Sequence, residues 1–354
     1  MSKQKIRVKI ISSINEKWWL KQFPSQIPTW GECEFVFDIN EKNYDWVVVY
    51  DDLPRIKDER FSKRTEKLTC RKDHSLLVTT EPPSIKSYGK IYVEQFGYVL
   101  TSHEDWALKH NEKIFSQPAL IWFYGLGWHD KAVKKYDNMW RGVDKHIKTE
   151  EISTVCSSKQ QKHTLHNLRY KFTCELKKLI PELDIYGHGV KVINDKADAL
   201  DNYKYHIAIE NYSGKNHWTE KLSDPFLGLC LPFYYGATNV EDYFPKESFI
   251  EIDIYDIEKS AKIIKEAIKN NEYEKRLEQI KQAQKLVLNR YNFFVTVAKI
   301  IEEKNDKISA NKKANGIISS RRAIMTSSPK NFLIHGYEKI RLGIVRRKIN
   351  KASQ

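Results

Sequence analysis

YHIAIENYSGKNHWTEKL (205–222) joins a short apolar run, a polar loop containing a glycine and the first residues of a helix. The run YHIAIEN (205–211) predicts a buried strand. Thr219 is a favourable N-cap for a helix that begins at Glu220. Because strand, loop and helix in succession are the building unit of parallel sheets, this stretch predicts an α/β fold with a ligand-binding edge beyond the carboxyl end of the strand.

The same pattern recurs on both sides of this stretch. Apolar runs typical of strands occur at IRVKII (6–11), CEFVFDI (33–39), DWVVVYDD (45–52), SLLVTTEPPS (75–84), YVLTSH (98–103), ALIWFYG (119–125), ISTVCSS (152–158), LDIYG (183–187), LCLPFYYG (229–236) and SFIEIDI (248–254). Helical spacing covers 165–180, and a segment without glycine or proline predicts one continuous helix over 257–304.

A chain of 354 residues is long enough for two domains of ordinary size. We expect an N-terminal α/β domain with its linker over 1–150 and a second α/β domain over 151–304. The last fifty residues, 305–354, are polar and basic, which predicts a mobile tail.

The positive charge is concentrated in that tail. The chain carries a net charge of +14, and residues 305–354 hold seven Lys and five Arg against two acidic residues, a net +10 that leaves about +4 for the rest. A nucleic-acid binder is therefore the weakest of the functions that the composition suggests. Attraction of the tail to anionic lipid, an acidic partner or nucleic acid stays open.

On a helical wheel the tail forms only a poor amphipathic stripe, since its apolar residues fall on two opposite sides. One side holds Tyr337, Ile340 and Ile344, and the other holds Leu342, Val345 and Ile349.

Five cysteines without any Cys-x-x-Cys pair indicate neither a disulfide framework nor a structural zinc site. We expect a reducing, cytoplasmic compartment. The N-terminal residues lack the pattern of a signal peptide, and no apolar run is long enough to predict a transmembrane helix.

The TEKL sequence (219–222) suggests a site for an anion. Exposed N–H groups at a helix start attract phosphate. The positive charge of Lys221 in the first turn is unfavourable next to the positive end of the helix dipole and costs the helix about 0.3–1 kcal/mol. A bound anion would offset that cost. The Glu220 carboxylate can accept hydrogen bonds from the hydroxyls of a ribose or a sugar. Arg169 is a candidate second cation for a pyrophosphate. Taken alone, Thr-Glu-Lys is also an ordinary helix cap.

Over residues 203–253 the chain resembles the α-1,3-fucosyltransferases, glycosyltransferase family 10. The shared elements are Glu210-Asn211, TEKL (219–222), Pro232 with Tyr235-Gly236, Tyr243-Phe244-Pro245 and Ser248-Phe249-Ile250. Upstream, STVCSSK (153–159), His163, Arg169 and YGHG (186–189) also fit the family, and a looser likeness extends back to about residue 75. His217-Trp218 departs from the family, which often has an aromatic pair such as Tyr-Val before the threonine.

The resemblance implies an α/β fold of the GT-B type, in which two Rossmann-like domains face across a cleft and the C-terminal domain holds GDP-fucose. It further implies that Arg169 and Lys221 hold the pyrophosphate and that Glu220 and Asn211 hold the rest of the donor. The general base implied by the family is Glu81, in VTTEPPS (78–84).

The implied reaction is an inverting transfer of L-fucose from GDP-fucose to a hydroxyl of a glycan acceptor. The acceptor would contain N-acetylglucosamine or glucose, within a surface polysaccharide or lipopolysaccharide. Alternatives are the same fold with another GDP-deoxysugar donor, or a non-catalytic protein that binds glycans or nucleotides. No nucleic-acid partner is expected.

The chain contains no Asp-x-Asp sequence, the usual diphosphate metal site of another glycosyltransferase class. We therefore expect donor binding without a metal or other cofactor. The basic tail suggests peripheral attachment to the inner face of a bacterial membrane, with the protein otherwise in the cytoplasm.

Overall fold

The computed structural model describes residues 4–127, 133–142, 147–158, 165–305 and 316–352, with side chains described up to residue 346. The chain forms two compact units, each of which is discontinuous in sequence. Unit 1 is built from Met1–Glu16, Pro28–Pro118 and Val297–Gln354, and unit 2 from Lys17–Ile27 and Ala119–Thr296.

The strands, in chain order, are β1 (Ile6–Ile11), β2 (Thr29–Trp30), β3 (Cys33–Val36), β4 (Trp46–Tyr50), β5 (Thr65–Lys67), β6 (Ser75–Val78), β7 (Tyr98–Thr101), β8 (Lys113–Phe115), β9 (Glu150–Val155), β10 (Asp184–Tyr186), β11 (Tyr203–Ile209), β12 (Leu231–Tyr235), β13 (Ile250–Glu251) and β14 (Ile317–Ser319).

The helices are α1 (Glu16–Leu20), α2 (Lys90–Val93), α3 (Tyr136–Arg141), α4 (His166–Leu179), α5 (Glu220–Leu227), α6 (Ile257–Lys269), α7 (Glu272–Asn289), α8 (Phe293–Asn305), α9 (Arg321–Thr326) and α10 (Pro329–Ala352).

Each unit is organised around a largely parallel sheet. Unit 1 has seven strands in the order β2-β3-β1-β4-β6-β7-β8, all parallel to their neighbours except β2. Unit 2 has five parallel strands in the order β10-β9-β11-β12-β13. Every residue of β4, β6 and β7 is buried, so both faces of this sheet are covered, as expected for parallel sheets. The predicted α/β class, with two Rossmann-like units, is confirmed.

The segment 119–125 is not the strand that its composition predicts. Its backbone bonds to side chains of unit 2 instead of to a neighbouring strand: the Phe123 N–H donates to Asp224 Oδ1 (3.2 Å), and the Tyr124 carbonyl accepts from Lys21 Nζ (2.7 Å). Positive φ angles at Ala119 and Gly125 (52° and 75°) further exclude an extended ladder. The prediction of a strand here is wrong because tertiary hydrogen bonds satisfy the backbone.

The predicted continuous helix over 257–304 is three helices. Asn271 adopts the left-handed conformation (φ 53°), which ends α6 and precedes α7. The buried side chain of Asn292 accepts from the Phe294 N–H at 2.9 Å and thereby opens α8. Asparagine tolerates left-handed backbone and competes for backbone donors, so both interruptions occur at asparagines.

The domain boundaries differ from those predicted. Residues 119–142 belong to unit 2 where described, so the boundary lies at 118 and not at 150, and the chain returns to unit 1 at residue 297. The expected mobile tail is also structured over 316–352. Strand β14 pairs antiparallel with β5, and Ile318 is completely buried in the core of unit 1.

Candidate functional site

The candidate site lies where the strand order of unit 2 changes direction. Strand β9 is flanked by β10 on one side and by β11 on the other, and the carboxyl ends of these parallel strands share one edge. Such reversal points are where open α/β sheets bind ligands. A cavity of about 170 Å³ lies beside β9 and β11. Its polar lining consists of Ser157, Arg169, Lys196, His206, Glu220, Lys221 and Asp224.

Arg169 and Asn211 meet in this site although 42 residues separate them. Arg169 is buried on α4, and its Nη1 donates to Oδ1 of Asn211, just beyond β11, at 2.8 Å. Within the described structure the buried Nε of Arg169 has no hydrogen-bond acceptor. A buried guanidinium with an unpaired donor is costly, and a phosphate or carboxylate oxygen is the ligand that would satisfy it.

The start of α5 is fixed by a buried carboxylate. Glu210 is completely buried, and its two oxygens accept from the backbone N–H of Thr219 (2.7 Å) and from its hydroxyl (2.8 and 3.0 Å). Thr219 Oγ1 in turn accepts from the N–H of Lys221 at 3.3 Å, as predicted for an N-cap. Burial raises the pKa of Glu210, an effect that Lys221 opposes.

Lys221 and Glu220 form a close ion pair at the helix start. Lys221 Nζ lies 2.9 Å from Glu220 Oε1 and 3.7 Å from Glu210 Oε2. Burial alone would lower the pKa of Lys221, but these two carboxylates outweigh it and raise the pKa. Burial would likewise raise the pKa of Glu220, and Lys221 and Lys196 more than reverse this, so its pKa is lowered. Both side chains therefore stay charged at neutral pH.

Lys196 is a third cation in the cavity, and sequence reasoning missed it. It opens the 3₁₀ turn Lys196–Ala199, with Nζ 2.8 Å from Asp224 Oδ2 and 3.8 Å from Glu220 Oε1. Its turn is stabilised by Asp195, which accepts from the N–H of Ala197 at 2.8 Å. No local pattern indicates a ligand site there, because its partners come from α5.

A second cavity of about 390 Å³ adjoins the first and shares Val155 and Lys196 with it. Trp18 and Phe123 supply aromatic surface, and the two rings lie edge to face at 6.4 Å. Lys196 Nζ lies 5.4 Å from the centre of the Phe123 ring. The two cavities together offer a charged compartment beside an apolar one.

His217 and Trp218, which differ from the residues usual in the family, lie in the core and not in the cavity lining. Trp218 is buried between three rings, at 5.0 Å from Phe244, 5.5 Å from Tyr291 and 5.7 Å from Tyr243. His217 is buried against Tyr212. Neither lines the two cavities, so this difference from the family acts through packing behind the start of α5.

Glu81 belongs to unit 1, three residues beyond β6, where its side chain is exposed and the following prolines are buried. The His103 ring nitrogen Nε2 donates to the Glu81 carbonyl at 2.8 Å, and the Tyr88 hydroxyl accepts from the Glu81 N–H at 3.4 Å. Burial lowers the pKa of His103 to about 4, so the ring is neutral and carries its proton on Nε2. The backbone of Glu81 is held at both its donor and its acceptor.

The structure thus brings Arg169, Asn211, Glu220 and Lys221 together in unit 2, and Glu81 is in unit 1. His163, which the sequence also suggested, lies outside the described residues. Among those that are described, no group of three or more His, Cys, Asp or Glu side chains is arranged to hold a metal ion.

Comparison with known protein families gives a match over the part of the chain that contains this cavity. Residues 145–308 match the C-terminal domain model of glycosyltransferase family 10 (fucosyltransferase). This segment is therefore similar to a family 10 domain. It contains every element of the charged cavity described above.

Curated relatives match part of the chain as well. A human 4-galactosyl-N-acetylglucosaminide 3-alpha-L-fucosyltransferase 9 is 36% identical over 109 residues, which is 29% of this chain and 30% of that protein. The Helicobacter pylori alpha-(1,3)-fucosyltransferase FucT is 32% identical over 66 residues, 19% of this chain and 13% of that protein. The chain thus spans about 30% of the length of the first relatives that it matches.

Among solved structures, an α1,3-fucosyltransferase with GDP-fucose aligns over 82% of this chain and 94% of that chain, with 17% identity and a TM-score of 0.44. A likeness of this size does not by itself establish a shared fold. The likeness to family 10 is carried by the sequence match over residues 145–308.

Proposed function

We propose that this protein is an inverting α-1,3-fucosyltransferase that moves L-fucose from GDP-fucose to a hydroxyl group of a glycan. The observation that carries the proposal is the buried Arg169, whose Nε lacks an acceptor in the described structure, in a cavity that it shares with Lys196 and Lys221, within the segment that matches family 10. A diphosphate supplies both the missing acceptor and the negative charge that three cations would stabilise.

In the proposed complex, Arg169 and Lys221 bind the diphosphate at the start of α5, where the helix dipole adds to their charge. Glu220 accepts hydrogen bonds from hydroxyls of the ribose or of the fucose. Asn211 already holds the guanidinium of Arg169 in place at 2.8 Å, so the cation needs little reorganisation when the donor arrives. The adjoining apolar cavity, with Trp18 and Phe123, offers surface for the remainder of the nucleotide.

The proposed reaction is a single displacement. The acceptor oxygen bonds to the anomeric carbon as the bond from that carbon to the diphosphate oxygen breaks, with inversion. The acceptor proton passes to the carboxylate of Glu81, and the electron pair of the broken bond leaves with GDP. Arg169, Lys196 and Lys221 lower the barrier by stabilising the negative charge that grows on the leaving diphosphate.

For the acceptor we propose a glycan containing N-acetylglucosamine or glucose, in a surface polysaccharide or lipopolysaccharide. The name of the human relative describes action on a galactosyl-N-acetylglucosaminide, which favours this class. We also propose a cytoplasmic location, at the inner face of a bacterial membrane. The five free cysteines are consistent with a reducing compartment.

The test is calorimetric titration of the full chain with GDP-fucose, GDP-mannose, UDP-galactose and GDP. We expect selective binding of the GDP compounds, with GDP-fucose turned over when a glycan carrying N-acetylglucosamine is added. Binding of GDP-mannose in preference to GDP-fucose would move the proposal to another GDP-sugar donor. Absence of binding to any GDP compound would overturn it.

Replacing Glu81 by Gln separates an enzyme from a non-catalytic binder. The substitution should abolish turnover and leave the affinity for GDP-fucose unchanged, since only the base is removed. Glu94→Gln is the matched control, because Glu94 is another exposed carboxylate of unit 1. Full activity of Glu81→Gln would exclude Glu81 as the base, and absence of turnover in the unsubstituted protein would favour a binding protein.

A further inference from the structure

The carboxylate of Asp224 joins two parts of unit 2 that lie far apart in the sequence. Asp224 is on α5, one turn beyond Glu220, and its side chain is 1% exposed. Its Oδ2 accepts from Lys196 Nζ at 2.8 Å, and its Oδ1 accepts from the N–H of Phe123 at 3.2 Å. One buried side chain therefore holds a cation of the charged cavity and the backbone that carries an aromatic ring of the apolar cavity.

A second carboxylate repeats this arrangement beside the first. Asp195 Oδ1 accepts from the N–H of Gly125 at 2.9 Å and from the N–H of Ala197 at 2.8 Å. Asp195 and Asp224 thus bind the 3₁₀ turn Lys196–Ala199 to the segment that contains Gly125 at two points. The cation at the start of this turn is fixed through both its backbone and its side chain, so its ammonium has little freedom to leave the cavity wall.

A carboxylate at this position has two opposing effects on an anionic ligand. Its negative charge repels a diphosphate. Its hydrogen bond also keeps the ammonium of Lys196 in place, and a cation that is already ordered loses less conformational entropy when the ligand arrives. Because the charge of Asp224 is offset by Lys196 at 2.8 Å, we expect the ordering effect to outweigh the repulsion.

No other carboxylate in the described structure holds Lys196 in the same way. Its Nζ lies 3.8 Å from Glu220 Oε1, which is beyond hydrogen-bond distance. Glu220 is itself paired with Lys221 at 2.9 Å. Loss of the Asp224 charge would therefore leave the ammonium of Lys196 without a close carboxylate.

From these contacts we infer that Asp224 is a positioning residue for donor binding, which holds the ammonium of Lys196 at the wall of the cavity where the diphosphate of the GDP-sugar binds. Asp224 acts through Lys196 and not by contact with the donor. The inference rests on the proposed function, because it needs a diphosphate in this cavity.

The test is Asp224→Asn in the full chain. The amide keeps the size of the side chain and its oxygen can still accept from the N–H of Phe123, but the negative charge that holds Lys196 is lost. Calorimetry should show affinities for GDP and for inorganic pyrophosphate that fall on the order of tenfold, the size of one charge-assisted hydrogen bond. A carboxylate that acted by charge alone would give the opposite sign, since its removal would tighten the binding of both anions.

Combination with Lys196→Ala separates positioning from general damage to the site. If Asp224 acts through Lys196, Asp224→Asn should not weaken GDP binding further in the Lys196→Ala background, whereas independent effects would add. Glu274→Gln is the matched control, because Glu274 pairs with Lys204 at 2.9 Å in unit 2 and lines neither cavity. It should leave the affinity for GDP unchanged.

A spectroscopic measurement on the unsubstituted chain tests the same contact if Asp224→Asn does not fold. In protein with nitrogen-labelled lysine, the hydrogen bond to Asp224 predicts an ammonium signal of Lys196 whose protons exchange slowly with water before any ligand is added. The signal is identified by its absence in Lys196→Arg. Addition of GDP should shift it.

Three results would overturn the inference. They are an affinity for GDP in Asp224→Asn that equals or exceeds that of the parent, additive losses in the double variant, and a Lys196 ammonium signal that exchanges as fast as those of exposed lysines. Any of them in a chain that binds GDP would leave the proposed function standing. A parent chain that binds neither GDP nor pyrophosphate would overturn both.

Discussion

The Tyr88 hydroxyl donates to Asp51 Oδ1 at 2.6 Å, and its oxygen accepts from the backbone N–H groups of Thr80 (2.8 Å) and Glu81 (3.4 Å). Burial alone would raise the pKa of Asp51. Lys86, whose Nζ lies 2.5 Å from Asp51 Oδ2, lowers this pKa together with Tyr88 and Thr80. The carboxylate is therefore ionised and holds the Tyr88 hydroxyl in one orientation. Tyr88 is in this way a positioning residue for the backbone that carries Glu81.

We predict that Tyr88→Phe lowers kcat about tenfold while the Kd for GDP-fucose stays unchanged. The variant leaves two N–H groups and Asp51 short of a partner, which also costs about 1–3 kcal/mol of unfolding free energy. Tyr44→Phe is the matched control, since the buried Tyr44 hydroxyl accepts from the N–H of Thr69 elsewhere in unit 1. It should lose stability and keep kcat. An equal loss of kcat in both variants would reduce the role of Tyr88 to general stability.

Lys196→Ala should weaken GDP binding by roughly 10- to 100-fold, the range expected when one charge-assisted hydrogen bond is lost. Lys221→Ala and Arg169→Ala should have effects of the same order. Calorimetry well below the thermal midpoint of each variant measures the change without interference from unfolding.

Lys204→Ala provides the comparison for Lys196→Ala. Lys204 is similarly half-buried and also pairs with two carboxylates, Glu151 at 3.7 Å and Glu274 at 2.9 Å, but it does not line either cavity. Lys196→Arg should retain most of the affinity. If Lys196→Ala bound GDP as tightly as Lys204→Ala does, the third cation would have no part in donor binding.

Stability should fall in acid because of His206. Burial, aided by Lys196 and Lys148, holds its pKa at about 3, below the ordinary 6.5, and its Nδ1 lies 2.8 Å from the Ser153 hydroxyl. The unfolded chain takes up a proton at this residue below pH 6.5, whereas the folded protein does so only near pH 3. Its contribution is thus present above pH 6.5 and is lost as the pH falls, by a few kcal/mol in total.

Urea unfolding between pH 7 and pH 4 measures the slope of the unfolding free energy against pH. His206→Gln should make the slope shallower without abolishing it, because the buried His103 also has a lowered pKa, and His188→Gln, at an exposed position, should leave it unchanged. A slope unchanged in His206→Gln would show that other groups cause the acid sensitivity.

Donor binding should survive removal of divalent cations, because Arg169, Lys196 and Lys221 line the cavity and can donate hydrogen bonds to the diphosphate without a metal. The measurement is the Kd for GDP-fucose in EDTA and again after addition of Mg²⁺ or Mn²⁺. Loss of binding in EDTA that either ion restores would contradict this prediction.

The sequence predicted those features that depend only on residues close together in the chain. Strand β1 was predicted at its observed bounds, and Thr219 was predicted as the cap of α5, because alternation and capping are local. Lys196 was missed because its partner Asp224 lies 28 residues away. The strand predicted over 119–125 was wrong because Asp224 and Lys21 satisfy its backbone through tertiary contacts.

The sequence by itself determined the α/β class, which follows from local periodicity. It also carried the resemblance to family 10, and that resemblance is what predicts the four donor-site residues of unit 2. Only the tertiary structure decided that Lys196 joins the cavity, that 297–354 returns to unit 1 and that one apolar face of α10 is buried while the other is exposed. Burial and charge pairing depend on which distant segments meet, and a linear pattern does not contain that information.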